Sequence, residues 1–154
     1  MCAQFVMDSP IGRLAIHTRE GKVTQVDYAV RREVTRVLTD PLHKKIKQQL
    51  QNYFARPTAH FNLPLELHGT PFQQKVWQAL QAIPLSQTVS YGDLANRLHT
   101  SARAIGNACR ANPIPLIVPC HRVIAKNSIG GFSGTTHGRH IDRKRWLLQH
   151  EGAL

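Results

Sequence analysis

Two extended, proline-punctuated stretches, Arg56-Pro57-Thr58 and Leu63-Pro64-Leu65, interrupt the chain, and the residue patterns on either side differ in kind. Proline fixes its own φ and disfavours helix at the residue before it, so no regular element can run through this segment. The break predicts a domain over residues 1–62, a linker over 63–68 and a second domain over 69–154. A chain of 154 residues suffices for a small domain joined to a slightly larger one.

Before the break, Phe5-Val6-Met7, Leu14-Ala15-Ile16 and the run from Val23 to Tyr28 are short apolar or alternating segments. The turn signals Pro10-Ile11-Gly12 and Glu20-Gly21-Lys22 separate them, which predicts an antiparallel meander. Residues 29–39 are polar and ambiguous. Asp40-Pro41 then marks a helix start, with aspartate as cap and proline at the first helical position. Leu42, Ile46 and Leu50 recur at intervals of four and Tyr53-Phe54 closes the face, leaving His43, Lys44, Lys45 and Lys47 for solvent.

After the break the punctuation is helical. Thr70-Pro71-Phe72-Gln73 is a capping box, followed by the core stripe Phe72, Val76, Trp77 and Leu80, and Ile83-Pro84 ends that helix. Ser90-Tyr91-Gly92-Asp93 opens a second helix that runs to Leu98, and a third runs from about Ser101 to the stop at Asn112-Pro113. Two short helices across the turn His99-Thr100 suggest a helix-turn-helix, although helical hairpins of this size are common. The third helix is slim: Ala102, Ala104, Gly106, Ala108 and Ala111 give it little bulk, and only Arg103, Asn107 and Arg110 reach outward. Such a helix suits a minor groove better than base-edge readout in the major groove; close helix packing is the other reading. A last helix over 142–150 buries Trp146, Leu147 and Leu148, with Glu151-Gly152 at its stop. The fold class is α+β, a small sheet-plus-helix domain followed by a mainly helical one.

Within the second part, the apolar run 114–118 delivers Pro119-Cys120-His121-Arg122-Val123 as a strand-like segment. A histidine and an arginine beside a cysteine are surroundings that lower a thiol pKa and make a nucleophile. A small buried hydrophobe is the commoner fate of a free cysteine, and the tripeptide alone does not decide between them. On extended backbone adjacent side chains point to opposite faces, so Cys120 and His121 meet only where the chain bends.

The 20 basic residues against 9 acidic ones, a formal net charge of +11, favour polyanions through counterion release. Nucleic acid is the first partner and an anionic membrane second; solubility alone is the plain alternative. No basic amphipathic helix with a broad aromatic face, no membrane-length apolar run and no signal sequence stand out. Three scattered cysteines make no disulfide framework, so a soluble, cytoplasmic protein with reduced thiols is expected, nuclear in a eukaryote. Cys2 and Cys109 belong to no zinc pattern, Cys109 reads as a packing residue, and His137 and His140 lack companion ligands, so no metal is expected. The glycine-rich stretch 127–134 matches no phosphate-binding pattern.

Taken in order, Gly69-Thr70-Pro71-Phe72-Gln73 with Val76-Trp77, Ser90-Tyr91-Gly92, Ala102-Arg103-Ala104-Ile105-Gly106, Asn112-Pro113, Ile117-Val118-Pro119-Cys120-His121-Arg122-Val123, and Leu147-Leu148 with Glu151-Gly152 resemble the O6-alkylguanine-DNA alkyltransferases. The motifs span nearly all of residues 69–154; the N-terminal part matches more loosely. The resemblance implies a ribonuclease-H-like N-terminal domain and a winged-helix-like C-terminal domain with a helix-turn-helix that binds double-stranded DNA through the minor groove and flips the damaged base. It implies irreversible, single-turnover transfer of the alkyl group from O6 of guanine, chiefly methyl, and from O4 of thymine, by a monomer without a cofactor.

By the same resemblance Cys120 is the alkyl acceptor, His121 its base through a bridging water, Glu151 the group orienting that histidine, and Asn112 the holder of the local turn. Tyr91 donates a proton to the leaving base, and Arg103 is a wedge in the vacated stack, on the helix that also carries Ala102, Ala104, Asn107 and Arg110. The backbone carbonyls of Cys120 and Val123 accept from the exocyclic amine, Ser133 donates to the alkylated oxygen, and Pro115 and Phe132 line the pocket.

Chemistry agrees independently. A buried O6 substituent reaches a protein thiol only if its nucleotide leaves the stack, and the leaving base anion needs a donor such as a phenol. The chain departs from the family at 135–142, a longer link, and at Phe132, where tyrosine is frequent. A damage binder without an acceptor is opposed by the presence of Cys120, and a transcription regulator by the few base-reading side chains on the third helix. A Cys-His-Glu hydrolase leaves the arginine wedge and the basic surface unexplained.

Overall fold

Turn chemistry sets the topology of the first part of the chain. The computed structural model describes residues 2–57, 61–126, 128–130 and 139–154. Glu20 and Gly21 take φ of 49° and 80°, the combination that lets a two-residue hairpin turn follow the natural strand twist. Strands β1 (Cys2–Met7), β2 (Leu14–Arg19) and β3 (Lys22–Tyr28) accordingly form an antiparallel sheet in sequence order. Pairing runs Cys2↔Arg19 to Met7↔Leu14 and Arg19↔Lys22 to Leu14↔Tyr28, with one irregularity at His17/Thr18.

Each edge of this sheet is tied at one residue to a later segment. Thr35 bonds Val6 twice, its N–H to the carbonyl at 2.9 Å and its hydroxyl accepting from the amide at 3.1 Å. On the β3 side, Val23 N–H donates to Pro64 O and Glu66 N–H to Val23 O, each at 2.9 Å. The stretch expected as a free connection is thus partly tied to β3, and the compact units divide between Leu67 and His68.

Helix α1 (Pro41–Ala55) starts where the sequence predicts, with the Asp40 carboxylate accepting from Leu42 N–H at 2.8 Å. Its buried face is His43, Ile46, Leu50 and Tyr53. This corrects the expected stripe: Leu42 is half-buried, and His43 points inward because Thr18 Oγ1 meets its Nε2 at 2.8 Å and Phe5 lies 4.9 Å from its ring. A hydrogen-bond partner inside outweighs the usual preference of histidine for the surface.

The second unit contains α2 (Pro71–Gln81), β4 (Val89–Ser90), α3 (Tyr91–Arg97), α4 (Ala102–Arg110), a 3-10 turn over Cys120–Arg122, β5 (Val123–Ile124) and α5 (Arg139–His150). Thr70 and Gln73 form the reciprocal capping box, and Ser90 and Ser101 accept from Asp93 and Ala104 N–H at 3.0 and 3.1 Å. α3 and α4 pack together across a turn in which His99 has φ 55°. The core joins Val76, Trp77 and Leu80 of α2 to Leu94, Ile105, Ile114, Val118, Leu147 and Leu148. Parallel pairing of β4 with β5, Val89↔Val123 and Ser90↔Ile124, sets the start of α3 beside the residues that follow Cys120.

Three local expectations change. The run 114–118 is a turn rather than a strand: Leu116 has φ 75° and Val118 N–H returns to Ile114 O at 2.9 Å. α5 begins at Arg139, and Trp146 is half-buried, stacked on His150 at 4.6 Å. Phe72 is likewise half-buried. Among the described residues no helix is long and apolar enough to cross a membrane.

Candidate active site

Asn112 builds the turn that presents the thiol. Its Nδ2 donates to Val118 O at 2.9 Å, its Oδ1 accepts from Ile114 N–H at 3.0 Å, and the same side chain hydrogen-bonds the Cys120 sulfur. Cys120 N–H closes onto Val118 O at 2.8 Å, and Arg122 N–H reaches back to Pro119 O at 3.1 Å. The chain therefore bends at the cysteine, as a Cys-His pair acting together requires.

Behind the turn lies a buried ionic cluster. Glu151 accepts from His121 Nε2 and Arg122 Nε, each at 2.8 Å, and from Arg122 Nη2 at 3.1 Å. Arg122 Nη1 donates to Ile83 O at 2.8 Å, and Ser86 Oγ donates to the Glu151 backbone carbonyl. The His121 and Glu151 side chains are fully buried and Arg122 is 6% exposed. Burial holds His121 below its ordinary pKa despite the Glu151 carboxylate, with Arg122 and Lys144 opposing a further positive charge. The ring is neutral, its Nε2 hydrogen faces Glu151, and its buried Nδ1 has no hydrogen-bond partner among the described residues.

One sequence expectation is overturned here. Arg122 faces Glu151 and not the thiol, and burial pushes the Cys120 thiol up, with Asn112 and Lys144 pulling the other way. Cys120 rests as S–H and needs a base.

Lys144 of α5 is fully buried, its Nζ donating to Val123 O at 2.7 Å and lying 5.6 Å from the centroid of the Tyr91 ring. Burial lowers its pKa to about 8, while the Cys120 and Cys109 thiols raise it. Burial, then Cys109 and Cys120, pushes the Tyr91 phenol up, so it stays protonated. Gly130, with φ 74°, packs so closely that a Cβ there would sit 2.9 Å from Tyr91 Cε2. A cavity of about 820 Å³ opens beside Tyr91, lined also by Asp93, Ala102, Arg103, Gly106 and Lys126.

Two family descriptions match the chain in order: residues 4–67 match the ribonuclease-like domain, and residues 71–153 the DNA binding domain, of 6-O-methylguanine DNA methyltransferase. The chain belongs to this family. The constitutive methylated-DNA–protein-cysteine methyltransferase of Bacillus subtilis is 42% identical over 139 residues, covering 83% of this chain and 84% of that one. A crystal structure of a Mycobacterium tuberculosis O6-methylguanine methyltransferase variant superposes with a TM-score of 0.83 at 38% identity, covering 99% of this chain and 94% of that one. Mycobacterium tuberculosis OGT in complex with DNA superposes with a TM-score of 0.80 at 39% identity, covering 96% and 91% of the two chains.

The methyltransferase-family residues expected from sequence fall into three sets. Cys120, His121, Asn112 and Glu151 converge at one buried turn, and Tyr91, Ala102 and Arg103 line the adjoining cavity. Arg103, Asn107 and Arg110 are exposed on α4, Ala104 and Pro115 are half-buried, and Val123 is buried with its carbonyl on Lys144. Phe132, Ser133 and residues 135–138 of the longer link lie outside the described residues, and 139–142 belong to α5. Sequence reasoning missed Lys144, the Arg122–Glu151 pair, the nearness of Cys109 and the Gly130 contact. One signal was available: Ile141, Lys144 and Leu148 share the buried stripe of α5, where a lysine is out of place. No group of three possible metal ligands exists among the described residues.

Proposed function

We propose that this chain repairs DNA by direct reversal, taking the alkyl group from O6 of guanine, chiefly methyl, and from O4 of thymine, onto Cys120. The observation that carries the reading is the buried turn itself. A protonated thiol is fixed by Asn112, and a neutral histidine beside it keeps Nδ1 open while Glu151 holds Nε2. This is a nucleophile, base and orienter in one structure.

The Cys120 proton passes through a bridging water to His121 Nδ1. The sulfur–carbon bond forms as the carbon–O6 bond breaks, and Tyr91 supplies the proton that neutralises the leaving base. The thioether does not reverse, so each molecule acts once. Double-stranded DNA is the partner: α4 enters the minor groove, Arg103 replaces the extruded nucleotide, and Ala102 and Ala104 let the backbone approach. The open face of α4 and the cavity beside Tyr91 support this placement. The protein works as a monomer without a cofactor, in the cytoplasm or, in a eukaryote, the nucleus.

The test is incubation with duplex DNA carrying one labelled O6-methylguanine, followed by peptide mass analysis. One label per chain on Cys120, lost in Cys120→Ala, is the expected result. Label elsewhere, or equal transfer by Cys120→Ala, overturns the reading.

A further inference from the structure

We propose that Arg122 is a positioning residue of the transfer site, sharing the Glu151 carboxylate with His121 so that the ring stays neutral with Nδ1 as an open proton acceptor. The inference rests on the function proposed above and concerns a side chain that does not touch the thiol or the substrate.

The geometry is that of one carboxylate divided between two donors. Arg122 takes Oε1 through Nε at 2.8 Å and reaches Oε2 through Nη2 at 3.1 Å, the oxygen that also receives His121 Nε2 at 2.8 Å. Nη1 fixes the guanidinium to Ile83 O, just beyond α2, so the fork cannot swing away. All three side chains are buried, so their coupling is screened little by salt.

The charges facing His121 come from every side: Glu151 beyond the end of α5, Lys144 within α5, and Arg122 on the same turn. With Arg122 present, Glu151 is already compensated, and protonating His121 would place an extra positive charge between Arg122 and Lys144. Without Arg122, the Glu151 carboxylate would lose its guanidinium partner, and an imidazolium–carboxylate pair would become the favoured state. Such a ring carries hydrogens on both nitrogens and cannot accept the Cys120 proton. Arg122 therefore decides that this histidine is a base and not an ion-pair partner.

The experiment is the pH dependence of single-turnover methyl transfer from O6-methylguanine in duplex DNA. It compares the unmodified protein with Arg122→Met, Arg122→Lys and the double variant Arg122→Met/Glu151→Gln. On the acid side, the unmodified protein should lose rate only below about pH 6.5, the ordinary histidine value. In Arg122→Met that acid limb should move up by about one unit or more, lowering the rate about tenfold on the limb while the loss shrinks as pH rises past it. Arg122→Lys should fall between, and the double variant should return the limb toward its original position. A uniform loss at every pH, with the limb unmoved, overturns the proposal and leaves Arg122 a packing residue.

Nitrogen NMR of His121 in the unmodified protein provides a readout that needs no folded variant. An Nε2-protonated neutral ring at pH 7 is expected, and a doubly protonated ring overturns the inference. Failure of the unmodified protein to label Cys120 would instead remove the proposed function, so the two failures are distinguishable.

Discussion

Lys144 lies on the stripe of α5 that also buries Ile141 and Leu148, and a lysine is tolerated there for a definite reason. Its ammonium donates to Val123 O at 2.7 Å and lies over the face of Tyr91. The group titrates at about 8, so it is charged at neutral pH and can hold the negative charge that forms on sulfur as the thiol ionises. Deprotonation above about 8 removes that charge, so transfer should slow as pH rises through this value. His121 sets the acid side, since its pKa lies below the ordinary value and only the neutral ring is a base. The rate profile of the unmodified protein should thus be a bell with its alkaline limb near 8. Lys144→Met should lower the plateau about 100-fold and remove the alkaline limb. A variant profile that keeps that limb would assign it to another group.

Helix α4 carries the exposed Arg103, Asn107 and Arg110 on one face, and α2 fixes its far end through one hydrogen bond, Trp77 Nε1 to Ala108 O at 2.9 Å. Trp77 is held in turn from the other side, where a Cβ on Gly69 would lie 2.5 Å from Cη2. Trp77→Phe preserves most of the packing but leaves the buried Ala108 carbonyl unpaired. A loss of about 1–3 kcal/mol in denaturant unfolding is expected, with weaker transfer on duplex DNA than on the free modified base. An equal change on both substrates would show that α4 is not placed by this bond. Elements of this kind were legible in the sequence because their signals are local: Asp40, Thr70 and Ser90 each cap the helix that follows. The ordered motifs, read as a family resemblance, also placed Cys120, His121, Asn112 and Glu151 together. Pairings fixed only by the folded chain left no such trace. His43 looked solvent-facing because Thr18 is 25 residues away, and Arg122 looked like the thiol's partner because Glu151 is 29 away. The strand expected over 114–118 failed because Asn112 satisfies the backbone groups of a turn there.

At the scale of the whole molecule, the charge surplus is unevenly divided. Residues 1–67 carry ten basic and six acidic residues, while 68–154 carry ten and only three. The second unit also holds the cavity beside Tyr91, with the exposed Lys126 at its lining, and the outward face of α4 ending in Arg110. If that face is the DNA surface, the phosphate contacts belong to it, and each one neutralised on binding contributes about 0.9 to the slope of log affinity against log salt. Lys44 and Lys45 are equally exposed but sit on α1 of the more nearly balanced unit. Replacing Lys126 and Arg110 together by glutamine should therefore reduce the salt slope on undamaged duplex DNA by about 2. Replacing Lys44 and Lys45 by glutamine should leave the slope unchanged, although the two double variants lose the same formal charge. Titration of fluorescent duplex at several salt concentrations checks both. An equal fall in slope for the two pairs would mean that affinity follows net charge alone, and the assignment of the DNA surface to α4 and the cavity mouth would have to be abandoned.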